Sequence, residues 1–67
     1  MHFLRLNEVH DNCEPTSLRI NIEKIVAVRT NEDGETEVYT DDASEFTVEE
    51  NEEYIMKQLD EFYEQAE

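Results

Sequence analysis

Val28-Arg29-Thr30-Asn31-Glu32-Asp33-Gly34-Glu35-Thr36-Glu37-Val38 decides the fold of this chain. Gly34 is its only glycine, and glycine takes a positive φ without steric cost, so the turn belongs around it. A two-residue Asp33-Gly34 loop would set Arg29 opposite Val38. A three-residue Glu32-Asp33-Gly34 loop with Gly34 left-handed instead sets Val28 opposite Val38 and Arg29 opposite Glu37. That register matches apolar with apolar and cation with carboxylate across the ladder, and it is the one we expect. The segment is then an antiparallel hairpin, and the chain is rooted in a β-sheet.

Upstream, Ile25-Val26-Ala27-Val28 is a β-branched run that reads as the strand entering the hairpin. Before it, Leu18, Ile20 and Ile22 alternate with Arg19 and Asn21, the period of two expected of a strand. Glu23-Lys24 interrupts the two as a bulge or a single helical turn. Residues 2–7 alternate Phe3 and Arg5 against Leu4 and Leu6 and form the first strand, while residues 8–15 collect Asp11, Asn12 and Pro15 and read as a loop. Downstream, residues 35–40 complete the hairpin, residues 41–44 turn the chain, and Glu45-Phe46-Thr47-Val48 is a short fifth strand.

From Asn51 onward the pattern becomes helical. At about 100° per residue, Ile55, Leu59, Phe62 and Ala66 fall on one face, and Glu49, Glu53, Asp60, Glu64 and Glu67 on a separate arc. Asn51 suits the N-cap, with Glu52 and Glu53 at the positive end of the helix dipole. Thr47-x-x-Glu50 is a rival capping box that would start the helix earlier. The expected architecture is α+β: a small, twisted antiparallel sheet of four to five strands with one C-terminal amphipathic helix, all in a single domain over residues 1–67.

Charge is distributed one-sidedly. Residues 1–30 carry four basic and four acidic side chains, whereas residues 31–67 carry fifteen carboxylates against the single Lys57. Such a surface repels nucleic acid and anionic membranes and attracts basic proteins or cations. No stretch approaches the roughly 18 to 20 apolar residues of a membrane span. Met1-His2-Phe3-Leu4-Arg5-Leu6 is too short and too quickly polar for a signal peptide. The lone Cys13 cannot form an internal disulfide, which fits a reducing compartment. A cytoplasmic protein is expected.

Leu4-Arg5-Leu6-Asn7, then Ile20-Asn21-Ile22-Glu23-Lys24-Ile25, a glycine-containing hairpin and Phe46-Thr47-Val48-Glu49-Glu50 before an amphipathic helix resemble the small swarming-motility proteins of bacterial flagellar operons. The resemblance covers nearly the whole chain and implies four strands followed by a helix, with a motility role. Residues 9–17 look like an insertion relative to that family. The basic tail usual there is replaced by Glu61-Phe62-Tyr63-Glu64-Gln65-Ala66-Glu67. A shared layout does not by itself imply a shared function.

Catalysis finds little support, because both histidines lie in the first ten residues and the cysteine sits apart in a polar segment. His10-x-x-Cys13 with Asp11 and Glu14 has ligand types that suit zinc or copper, but two strong ligands do not close a tetrahedral site. Aligning Gly34 with the sixth position of an EF-hand loop puts Arg29 first and Thr40 twelfth, where acidic ligands are required, so that motif fails. No enzyme activity, cofactor or metal is therefore expected. Tyr54, Met56 and Tyr63 lie off the centre of the packing face, where they cover the core edge or contact a partner.

The acidic half admits solubility or salt adaptation, recognition of a basic protein, and mimicry of nucleic acid. Salt adaptation should also acidify residues 1–30, which are neutral. The expected function is a noncatalytic protein-binding module, an inhibitor or regulator that covers the basic groove of a nuclease, repressor or CRISPR effector as a polyanion. Its expected contact residues are Glu35, Glu37, Asp41, Asp42, Glu49, Glu53, Asp60, Glu64 and Glu67, with Tyr54 and Tyr63. The partner is a protein with a basic surface, not nucleic acid or membrane, and homodimerisation is left open. The alternative is a motility-type regulator or housekeeping domain whose acidity serves only solubility.

Overall fold

The 28–38 hairpin pairs as its side chains require. In the computed structural model, which describes residues 2–65, Val28 faces Val38, Arg29 faces Glu37 and Thr30 faces Thr36. Asn31 N–H donates to the Glu35 carbonyl at 2.8 Å, which closes the three-residue loop, and Gly34 has φ +81°. The strands are β3 (Ile25–Thr30) and β4 (Thr36–Thr40). The next turn repeats this geometry: Thr40 N–H donates to Ser44 O at 3.0 Å, and Ala43 takes the left-handed position with φ +70°. The chain then enters β5 (Glu45–Val48).

The segment expected as a loop at residues 8–15 is instead mostly strand. β1 runs Phe3–His10 and β2 runs Cys13–Asn21, joined at Asp11-Asn12. Three local features permit this in a stretch of turn-forming residues. Asn12 takes φ +59°, which asparagine tolerates better than most side chains. Between the pairs Glu8–Thr16 and His10–Cys13, Glu14 and Pro15 together face the single Val9, so Pro15 sits in a bulge where no ladder N–H is required of it. β2 is also an edge strand, the usual place for proline in a sheet.

Between β2 and β3 the interruption at Glu23-Lys24 is a 3₁₀ turn, Ile22–Lys24, capped by the Asn21 side chain accepting from Glu23 N–H at 3.0 Å. The sheet order is β2-β1-β5-β4-β3 with every pairing antiparallel, so this three-residue turn joins the two edge strands. In a flat five-stranded sheet the edges would stand about 19 Å apart at the usual spacing. A 3₁₀ turn rises only about 2 Å per residue, so the sheet must curl until its edges approach.

Inside the curl lie Leu4, Leu6, Ile20, Ile22, Ile25, Val38 and Val48, all buried. Ile25 and Val28 both turn inward although they are three residues apart, because the extra residue at Val26 shifts the alternation between Ile25 and Ala27. α1 (Glu52–Gln65) lays Ile55 and Leu59 into this core, with Phe62 partly buried beside them. The expected α+β architecture is the one observed, and Ala66 lies outside the described residues. Asn51 is the cap, its Oδ1 accepting from Tyr54 N–H at 2.8 Å. Glu50 of the rival capping box turns away, and its carboxylate accepts from Asn7 N–H at 3.0 Å and Asn7 Nδ2 at 2.9 Å.

Candidate functional site

The acidic side chains divide into those engaged within the fold and those turned to solvent. Glu37 belongs to the first group. On β4 it accepts from Arg29 Nε at 2.7 Å, the Tyr39 hydroxyl at 2.6 Å and Asn31 Nδ2 at 3.2 Å. The Tyr39 hydroxyl, then the Arg29 guanidinium and Asn31, hold its carboxyl down at about 2. The same bond raises the Tyr39 phenol, and Arg29 lies over the Tyr39 ring at 5.6 Å. The register makes this cluster inevitable, since Arg29 faces Glu37 across the ladder and Tyr39 is two residues further on the same face.

Asp42 accepts from the Thr40 hydroxyl at 2.6 Å and from Ser44 N–H at 3.1 Å, bonds that lower its pKa, the hydroxyl most. Asp41 accepts from Lys24 Nζ at 3.4 Å. Three of the expected contact residues, Glu37, Asp41 and Asp42, are thus committed to a hairpin cluster, an ion pair and a turn. Among the described residues, Glu35, Glu49, Glu53, Asp60 and Glu64 make no side-chain hydrogen bond or ion pair. Glu67 lies outside the described residues.

Tertiary contacts gather carboxylates that are scattered in sequence. Thr36 pairs with Val48, so Glu35 and Glu49, one residue beyond each, lie at the same end of the sheet. The Glu32-Asp33-Gly34 loop projects from that end, and the Thr30 hydroxyl donates to Glu52 Oε1 at 3.3 Å, which seats the start of α1 against the base of the hairpin. Glu50 joins through Asn7. Glu32, Asp33, Glu35, Glu49, Glu50, Glu52 and Glu53 therefore share one end of the molecule. Of the basic residues near this end, Arg29 is paired with Glu37, and Lys57 lies one helical turn beyond Glu53.

The helix carries a second acidic strip. Glu53, Asp60 and Glu64 lie on the face opposite Ile55 and Leu59, and all are exposed. Lys57 lies among them, four residues after Glu53 and three before Asp60, spacings at which helical neighbours interact. The strip is consequently less negative than the acidic end, a difference that summed charge conceals. Tyr54 and Tyr63, both about half exposed, do not form one patch. Nine residues set them about 180° apart around the helix. Tyr63 packs edge-on against Phe62 at 5.1 Å, and Phe62 against His2 at 5.0 Å.

His10 and Cys13 face each other across the β1–β2 turn, and His10 Nε2 hydrogen-bonds Thr16 Oγ1 at 2.8 Å. Among the described residues no three histidine, cysteine or carboxylate side chains are grouped to hold a metal ion. None of the described helices is long and apolar enough to cross a membrane. No family model, curated protein or solved structure matches this chain.

Proposed function

We propose that this chain is a noncatalytic, cytoplasmic protein-binding module whose acidic end covers a basic, nucleic-acid-binding surface of a partner protein, as a polyanion mimic of the kind used in anti-restriction or anti-CRISPR inhibition. Support comes from the seven carboxylates brought together by the β3–β4 hairpin, the end of β5 and the start of α1. A groove that binds nucleic acid is lined with lysine and arginine and draws much of its affinity from displaced counterions. A dense cluster of carboxylates, five of the seven exposed, competes for such a groove without offering a base to read. Glu35 and Glu49 lie side by side where β4 and β5 end, make no side-chain hydrogen bond among the described residues, and are the residues on which recognition should depend most.

The test is capture of partners by the immobilised chain at about 50 mM salt, followed by elution at about 0.5 M, where charges are screened beyond a few ångströms. A partner of this class elutes with salt, is displaced by duplex DNA, and is lost from the double variant Glu35→Lys, Glu49→Lys, which alters sites at strand ends. Capture that resists salt, DNA and the double variant alike overturns the proposal. That outcome favours the alternative of a motility-type regulator or housekeeping domain whose acidity serves solubility.

A further inference from the structure

β3 is an edge strand, hydrogen-bonded to β4 on one side only. Beside its free edge runs a groove of about 260 Å³ lined by Ile25, Val26, Ala27 and Val28 of the strand and by Met56 and Leu59 of α1. Val26 is 64% exposed and Met56 42%. Edge strands are commonly guarded by lysine, proline or a bulge. β2, the other edge, carries Pro15 within its bulge. β3 has the bulge at Val26 but no proline, and no charge before Arg29.

The helix wall of this groove is net anionic, with three carboxylates around Met56 against the single Lys57. Met56 has Glu52 and Glu53 one turn before it and Asp60 one turn after it, the neighbours that share its flank of the helix. Glu52 is held to Thr30 at one end of the groove. At the other end Lys24 is paired with Asp41. An apolar floor beside an unpaired backbone edge, under an acidic wall, selects its occupant by charge. A second copy of the chain would bring two acidic walls together on molecules of net charge −14 each. An extended segment in which lysine or arginine alternates with β-branched residues meets all three features: its backbone pairs with β3, one face fills the groove, and its cations meet the wall.

We propose that the free edge of β3 and the groove beside it receive a basic, extended segment of a partner protein as a sixth strand. This rests on the chain being a binding module for basic partners, and it locates a contact that adjoins the acidic end, sharing Glu52 and Glu53 with it but not Glu35 and Glu49.

The probe is a dye-labelled peptide, Lys-Val-Lys-Val-Lys-Val, followed by fluorescence anisotropy and by amide shifts of the full chain. Lys-Pro-Lys-Val-Lys-Pro, of equal charge but unable to form a continuous ladder, is the control. The alternating peptide should bind about tenfold more tightly than the control, a difference of about 1.4 kcal/mol, and shift the Val26 to Thr30 amides. Val26→Lys and Met56→Lys, both at exposed side chains, should each weaken it by about tenfold, while Glu35→Lys with Glu49→Lys changes it far less. Equal binding of the two peptides with no amide shifts on β3 overturns strand addition and leaves the acidic-end function standing. So does peptide binding lost only in the Glu35, Glu49 variant. Concentration-dependent dimerisation abolished by Val26→Lys overturns it in favour of a second copy.

Discussion

Truncating Ile55 should be among the most damaging changes that can be made in the helix. Its side chain is wholly buried, in the company of Leu6, Val38 and Val48, so the helix is held to the sheet through it. Ile55→Ala removes three carbons at about 0.8 kcal/mol each, and the cavity left behind brings the expected loss to roughly 3 kcal/mol, within the range for such truncations. A domain of this size has a total stability of roughly 3 to 10 kcal/mol, so the variant sits near the unfolding threshold. In a thermal melt the midpoint should fall by roughly 12 to 24 °C at about 4 to 8 °C per kcal/mol. Ile55→Val should lose about 1 kcal/mol, giving a graded series should the alanine variant not fold. Leu59→Ala should resemble Ile55→Ala, Phe62→Ala should cost less because its ring is only partly buried, and Tyr54→Ala, next in sequence but exposed, should stay within about 0.5 kcal/mol. Urea denaturation in moderate salt measures all five. An Ile55→Ala protein as stable as wild type, or no more impaired than Tyr54→Ala, would refute the seating of α1 through this face.

Other consequences can be measured separately. Glu37 should titrate at about 2 by carbon-detected NMR; because its folded pKa lies below the ordinary value of 4.5, its stabilising effect is complete above that value and is lost as pH falls towards 2. The stability gap between wild type and Glu37→Gln should therefore close over that interval, and a titration near 4.5 would show that the Tyr39, Arg29 and Asn31 bonds do not form in solution. Ala43→Gly should stabilise the protein by about 1 kcal/mol, because a β-carbon is strained at φ +70°, whereas Gly34→Ala should cost a similar amount; chemical denaturation of the pair decides it, and an Ala43→Gly protein that is less stable than wild type counts against the shared turn geometry. Melting temperature should rise as salt increases from about 20 mM to about 0.5 M, since screening relieves the crowded carboxylates at the acidic end. A fall over that range would mean that attractive pairs outweigh the repulsion.

Local chemistry made much of this protein legible before any fold was in view. One glycine and the need to pair Arg29 with Glu37 determine the central hairpin and its register. The change from period two to helical period, with Asn51 at the junction, determines the strands and the capped helix. These depend on residues close in sequence, where sterics and alternation act directly. Residues 8–15 misled for the same reason: Asp11, Asn12 and Pro15 signal a break, yet a left-handed Asn12 and an edge-strand bulge absorb all three within one long hairpin. The order β2-β1-β5-β4-β3 follows from closure around the core, which no local pattern encodes. Composition alone establishes that the second half is strongly acidic. Only the tertiary structure decides which carboxylates remain available, because a charge is engaged or left free by whatever the fold brings within hydrogen-bonding distance: Arg29 and Tyr39 for Glu37, Asn7 for Glu50, and no side-chain partner among the described residues for half-buried Glu35 or exposed Glu49.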